Sequence, residues 1–352
     1  MPPEGSKRSR IGGLVSRTLL YLLVCGCNPG SNTREIFSNA SSSAGLAPPT
    51  QVPQSDKCWI FMHLNKAGGS TVKKILFDHW GEKSTTYDSY QWNKGTALAE
   101  ATAANMLSDS GWNVAAGGYT EALRRTAVYS SRPEGCKWFT VFRHPISRLV
   151  SAYFYCKMAP TDQLCASDFA FSRMIDLRTF AKHWGNYAVR QFAFSLVSFD
   201  EVRDYMLSPN GEKLEEETLK GIPAWYTLKM YLDGRGGGSD YGEIHDAALY
   251  DMLQPVQDLL RDRYAAVGIL ENFNKTLSLF EATLEMPGMN WGRFYGSLGK
   301  INVGMKFGVE KHEALKEAWT DSDIKKYLRL DLLLYEHAVD VFHRQALLHG
   351  ID

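Results

Sequence analysis

The chain has no surplus of either charge: 39 Lys and Arg face 39 Asp and Glu across its 352 residues. That argues against a general nucleic-acid binder, which carries a basic excess, while leaving room for a local basic pocket. No collagen-like or heptad period and no internal repeat is present, so fibrous, coiled-coil and solenoid architectures drop out. No Cys/His set has the spacing of a zinc site, and no aspartate stands in a magnesium-binding motif, so the expected chemistry is metal-free. The apolar runs fall short of the ~20 residues that span a bilayer. Cysteine is scarce, with six in all.

What is there suffices for a full core: 44% of residues are hydrophobic and 12% aromatic. Residues 1–27 read as a targeting segment. Lys7, Arg8 and Arg10 precede the apolar run Leu19 to Cys25, which suits a cleaved signal peptide or a type II signal anchor. Residues 28–55, rich in Ser, Asn, Pro, Ala and Gly, read as a flexible stem, and 56–352 as the folded domain. The order of charged end, apolar run, stem and domain fits a luminal enzyme of the secretory pathway. The tripeptides Asn39-Ala40-Ser41 and Asn274-Lys275-Thr276 permit glycosylation there. Cys58 and Cys136 each open an apolar strand, so a bridge between them is feasible if those strands are parallel neighbours. Cys156 and Cys165 would close a short loop, but connectivity does not follow from sequence alone.

Two stretches carry the chemistry. The first runs from a buried strand (Cys58 to Leu64) through a turn (Asn65 to Gly69) into a helix starting at Ser70. Gly68 and Gly69 let the backbone approach a ligand. Ser70 and Thr71 sit where free N–H groups and the helix dipole attract an anion, and Lys66 stands at the lip. The second begins at Arg143, at the carboxyl end of the apolar strand Cys136 to Phe142, with Pro145 suited to the first helical turn. Ser147 and Ser151 then share one helix face, and Arg143 offers a rigid fork of donors for a phosphate.

Elsewhere the pattern predicts strands near 112–116 and 266–270, and helices near 97–107, 121–128, 171–184, 187–196, 213–231, 244–264 and 272–284. Residues 80–96, 233–239 and 287–308 read as loops. One long amphipathic helix is expected over 321–349, with Ile324, Leu328, Leu332, Tyr335, Ala338 and Phe342 as its core stripe. The alternation predicts an α/β protein: a P-loop-like parallel sheet flanked by helices, with a helical C-terminal part and ligands at the carboxyl ends of the strands.

Taken together, Lys66-Ala67-Gly68-Gly69-Ser70-Thr71 and Arg143-His144-Pro145-Ile146-Ser147-Arg148-Leu149-Val150-Ser151-Ala152-Tyr153 resemble the two donor-binding elements of sulfotransferases that use 3′-phosphoadenosine 5′-phosphosulfate (PAPS). Asn186 to Arg190, Val267 to Glu271 and Asp331 to Phe342 are similar to further segments of the Golgi carbohydrate branch, nearest in layout to the uronyl and heparan sulfate 2-O-sulfotransferases. The resemblance implies a sulfotransferase fold, PAPS as donor, a polysaccharide or glycan acceptor, no nucleic-acid partner, and a luminal domain held at the Golgi membrane or secreted. It assigns Lys66 to the transferring sulfuryl group. Ala67, Gly68, Gly69, Ser70 and Thr71 fall to the 5′-phosphate, and Arg143 and Ser151 to the 3′-phosphate. Asn65 replaces the family's usual proline. The region Ala115 to Glu121 lacks the histidine that serves as base in the 2-O-sulfotransferases.

Glu121 is then the first candidate base, followed by His79 and His183. His63 reads as core, Lys73 and Lys74 as surface residues of which one approaches the nucleotide, and Lys300 as a cover for the 3′-phosphate. Two other readings compete. A P-loop kinase fails the Walker A spacing, since Asn65 precedes Lys66 and no glycine stands where the motif needs one. A non-catalytic glycan binder on the same fold would explain the missing histidine.

Overall fold

The structure, a computed structural model, describes residues 58–92, 94–130, 136–159, 176–195, 200, 244–297 and 308–351. The expected targeting segment and stem, the helix near 213–231, the loop at 233–239, Cys165 and Lys300 lie outside them.

Five parallel strands form one sheet in the order β2-β3-β1-β4-β5: β1 Cys58–Met62, β2 Ser84–Thr86, β3 Val114–Gly117, β4 Cys136–Phe142 and β5 Tyr264–Ile269. The architecture is α/β and compatible with a P-loop-like fold. β1 is buried along its whole length, as its unbroken apolar run requires once helices cover both faces. The helices, in chain order, are α1 Gly69–Trp80, α2 Ser89–Trp92, α3 Thr96–Met106, α4 Glu121–Arg124, α5 Ala127–Ser130, α6 Pro145–Met158 and α7 Leu177–Trp184. They continue with α8 Tyr187–Ser195, α9 Ile244–Arg263, α10 Phe273–Leu284, α11 Trp291–Ser297, α12 Gly308–Thr320, α13 Ser322–Tyr327 and α14 Arg329–Leu348.

The β1–β4 register sets Cys58 opposite Cys136, and the two form a disulfide with their Cα atoms 4.5 Å apart. Cys156 is disulfide-bonded as well. The main core fills the space between the sheet and α1, α9, α10 and α14. A smaller apolar cluster joins α6, α7, α12 and α13.

Four expectations change. Residues 80–96 are not a loop throughout: β2 forms there as the edge strand, and Tyr87 and Trp92 are buried. The 287–308 stretch holds α11, whose Gly292 and Gly296 weaken the helical signal while Trp291 packs against Phe280 and Phe139. Helix α12 fills a span for which no element was expected. The expected helix over 321–349 is two helices, broken at Leu328. Asp321 caps α13 by accepting from the N–H groups of Asp323 and Ile324, and α14 then starts afresh. Of the predicted stripe, Ile324, Leu328, Ala338 and Phe342 are fully buried, whereas Leu332 and Tyr335 are only partly so.

Candidate functional site

The two anion-attracting stretches meet at adjacent strand ends. β1 exits into the Asn65–Gly68 turn, and β4, its neighbour in the sheet, exits at Arg143. The Nη1 of Arg143 donates to the Lys66 carbonyl at 3.2 Å, so the second element holds the first in place. Lys66 itself has φ 64°, a left-handed conformation that an L residue adopts at a cost of ~1 kcal/mol or more. Gly68 follows at φ 86° and opens α1. A Cβ at Gly68 would press on Leu270, and one at Gly69 would collide with the His63 imidazole. Gly68 is thus required by its backbone conformation and Gly69 by space.

The Ala67 N–H donates back to the Leu64 carbonyl at 3.2 Å, which removes Ala67 from the predicted set of anion-binding amides. The amides of Gly68, Gly69 and Ser70 have no acceptor within the described residues and stand at the positive end of α1. The Ser70 side chain is exposed and Thr71 half-buried.

On α6, Ser147, Ser151 and Tyr155 follow one another at turn spacing and are half-buried, while Ile146, Leu149, Val150, Ala152 and Phe154 turn into the core. The Lys66 ammonium lies 3.9 Å from the centre of the Tyr155 ring. Because Tyr155 is one turn beyond Ser151, this contact orients the Ser151 face toward the Lys66 turn. The structure therefore brings together Lys66, Gly68, Gly69, Ser70, Thr71, Arg143 and Ser151. Tyr155 was missed, although its spacing from Ser151 marked the same face.

A second missed residue is Lys311 on α12. Its ammonium gives up its proton more readily than usual, through burial first and the nearby Arg143 charge second. Burial lowers Arg143 likewise; Glu271 opposes that and Arg148 adds to it. Two partly buried cations repel one another, with Glu271 acting as counter-charge to Arg143, and a polyanionic ligand would relieve the remaining repulsion. The run of good helix formers Glu310 to Ala318 was the available signal for α12. Glu271 organises the rim: its carboxylate accepts from the His144 N–H at 3.0 Å and the Tyr335 hydroxyl at 3.1 Å.

Glu121 is not in this site. It is fully buried, accepts from the Tyr264 hydroxyl, and pairs with Arg124 at 2.9 Å. Arg124 in turn lies 3.9 Å over the Trp138 ring. Trp138 and Tyr264 are register partners in the amino halves of β4 and β5, and Trp138 is roughly 15 Å along the strand from Arg143. A carboxylate so enclosed and paired meets no acceptor hydroxyl, so the assignment of Glu121 as base is corrected.

His79 is also elsewhere. It sits at the far end of α1, buried, with its Nε2 3.0 Å from the Pro287 carbonyl. His183 belongs to α7. Lys74 pairs with Asp78 on the surface as expected, at 2.9 Å, but Lys73 is only 14% exposed and pairs with Asp88 at 3.0 Å. His63 is not sealed in the core: it follows β1 directly and is half-buried beside Gly69.

Among the described residues no group of three or more His, Cys, Asp or Glu is placed to hold a metal ion. No described helix is long and apolar enough to cross a membrane. No family model matches the chain, and no curated protein matches it.

Proposed function

We propose that this chain is a PAPS-dependent sulfotransferase, with the sulfotransferase fold, that moves a sulfuryl group to a hydroxyl of a carbohydrate acceptor. The observation that carries the reading is the Arg143–Lys66 hydrogen bond, which joins two anion-binding elements into one surface. A nucleotide with phosphates at both its 5′ and 3′ ends fits such a surface. The Gly68, Gly69 and Ser70 amides, with Ser70 and Thr71, suit the 5′-phosphate, and Arg143, Lys311 and Ser151 suit the 3′-phosphate.

The reaction is an in-line displacement at sulfur. Negative charge grows on the oxygen that bridges sulfur to the departing phosphate, and Lys66 is the cation placed to stabilise it. The Tyr155 ring beneath Lys66 limits the positions its ammonium can take. The proposal extends to a polysaccharide or glycan acceptor and to a luminal enzyme of the Golgi membrane, or a secreted one. The Cys58–Cys136 bridge supports an oxidising compartment.

The test is label transfer from radiolabelled PAPS to a panel of glycans, with wild type beside Lys66→Ala. Wild type is expected to label at least one glycan, and the variant to lose at least a hundredfold in rate. Binding of 3′-phosphoadenosine 5′-phosphate without any transfer would favour the non-catalytic glycan binder instead.

A further inference from the structure

With Glu121 in the core, the acceptor side of the site needs another proton acceptor. The strand order separates two sides of the Lys66 turn: β4 and Arg143 on one, β3 and β2 on the other. On that second side three side chains converge. The backbone N–H of His63 donates to the Gly117 carbonyl at 2.9 Å, which fixes His63 beside the end of β3. Asp88, just beyond β2, accepts from the Gly118 N–H at 2.8 Å and from the Lys73 ammonium at 3.0 Å. Gln191, from α8, donates to the carbonyls of both His63 (2.9 Å) and Gly118 (3.0 Å) and so locks the two strand ends together. The Asp88 side chain is 42% exposed and His63 is half-buried, so the group borders solvent. The His63 ring lies against Gly69, within the turn that would hold the donor.

We propose that His63 is the general base of the transfer, with Asp88 stabilising the imidazolium that forms. The proposal rests on the sulfotransferase reading of the Lys66 turn. The acceptor O–H bond breaks and its proton passes to an imidazole nitrogen of His63. The acceptor oxygen forms a bond to sulfur while the bond from sulfur to the bridging phosphate oxygen breaks. That electron pair leaves on 3′-phosphoadenosine 5′-phosphate.

Electrostatics adds a device. In the free protein the imidazole is held neutral, with its pKa lowered to about 4. Burial is the main cause, then the Lys73 charge; Asp88 opposes and Lys66 adds a smaller push. Those three are the charged groups acting on the ring, and from α8 the neutral Gln191 amide donates to the His63 carbonyl. An anionic donor on the turn offsets both lysines and adds negative charge, so it raises the basicity of His63. The base thus becomes competent once the donor is seated.

Calorimetric titration with 3′-phosphoadenosine 5′-phosphate near pH 5.5, in two buffers of different ionisation enthalpy, reads that coupling. Wild type is expected to take up a fraction of a proton on binding. His63→Gln is expected to bind within about threefold of wild type, take up none, and transfer sulfuryl at least a hundredfold more slowly. Full transfer by the variant, or unchanged proton uptake, overturns the proposal. Should the variant not fold, histidine NMR titration of wild type decides. The His63 midpoint rises when the nucleotide is added if the proposal holds; an unmoved midpoint overturns it. Absence of nucleotide binding to wild type removes the parent reading as well, whereas binding with intact transfer by the variant removes only His63.

Discussion

Asn186 and Asp331 cap each other's helices. The Asn186 side-chain oxygen accepts from the N–H groups of Leu330 (2.9 Å) and Asp331 (3.2 Å), at the start of α14. The Asp331 carboxylate accepts from Ala188 (3.1 Å) and Val189 (3.0 Å), at the start of α8. Asn186 has φ 51°, a left-handed position that asparagine tolerates better than most residues. Arg148 of α6 completes the knot by donating to Asp331 at 2.6 Å, and it stacks on Tyr187, whose hydroxyl accepts from the Asn65 side chain at 2.6 Å. One buried network therefore runs from the C-terminal helix to the residue beside Lys66.

Removing Asp331 strands the Arg148 charge in the core. Asp331→Ala is expected to destabilise by about 3–5 kcal/mol, the usual consequence of leaving a buried charge unpaired. Denaturant unfolding measures it, with Asp331→Asn as the milder comparison. A loss below about 1 kcal/mol would show that the network does not hold the fold.

Glu121→Gln separates structure from catalysis. It weakens the pair with Arg124 and the contact with Tyr264, so its melting temperature is expected to fall. At temperatures well below melting its turnover stays within about threefold of wild type, far less than the 10²-fold or more that loss of a general base costs. A hundredfold loss of turnover in a stable Glu121→Gln protein would reinstate it as the base.

The reciprocal caps explain what the sequence could and could not disclose. The turn Asn65 to Gly69, strand β4 and the start of α6 were legible because local signals decide them: an apolar run, a glycine pair, a proline at the first helical position. Asn186 to Arg190 and Asp331 to Phe342 were recognisable as segments, but nothing local says that they cap one another. Glu121 was misassigned for the same reason. Its place after β3 suggested the site, whereas a partner 143 residues away, Tyr264, draws it into the core. Lys73 looked like a surface lysine on α1 until Asp88, just beyond a strand not foreseen, came within reach of it.

Acid is expected to weaken the fold through its histidines. Burial lowers the pKa of His63, His79 and His144 in the folded chain. Below about pH 6.5 the unfolded chain gains protons at these positions and the folded chain does not. Stability therefore holds above pH 6.5 and falls as pH drops toward the folded values, which for His63 is about 4. Denaturation midpoints at pH 7.5 and 5 measure the slope. His79→Gln, far from the turn, is expected to flatten it by up to one proton. An identical slope in that variant would contradict the assignment.

Lys311 provides a test of the nucleotide's far end. Lys311→Ala is expected to weaken 3′-phosphoadenosine 5′-phosphate by roughly tenfold, about 1.4 kcal/mol for a lost charged contact, and to leave adenosine 5′-phosphate unchanged. Equal weakening of both nucleotides would place Lys311 outside the 3′-phosphate site.

The central claim is that Lys66 and Arg143 anchor one donor with phosphates at both ends. Calorimetric comparison of 3′-phosphoadenosine 5′-phosphate with adenosine 5′-phosphate tests it most directly. Wild type is expected to prefer the bisphosphate by roughly a hundredfold, from two charged contacts, and Arg143→Ala to lose most of that preference. Equal affinity for the two nucleotides, or no binding of either, would contradict the account.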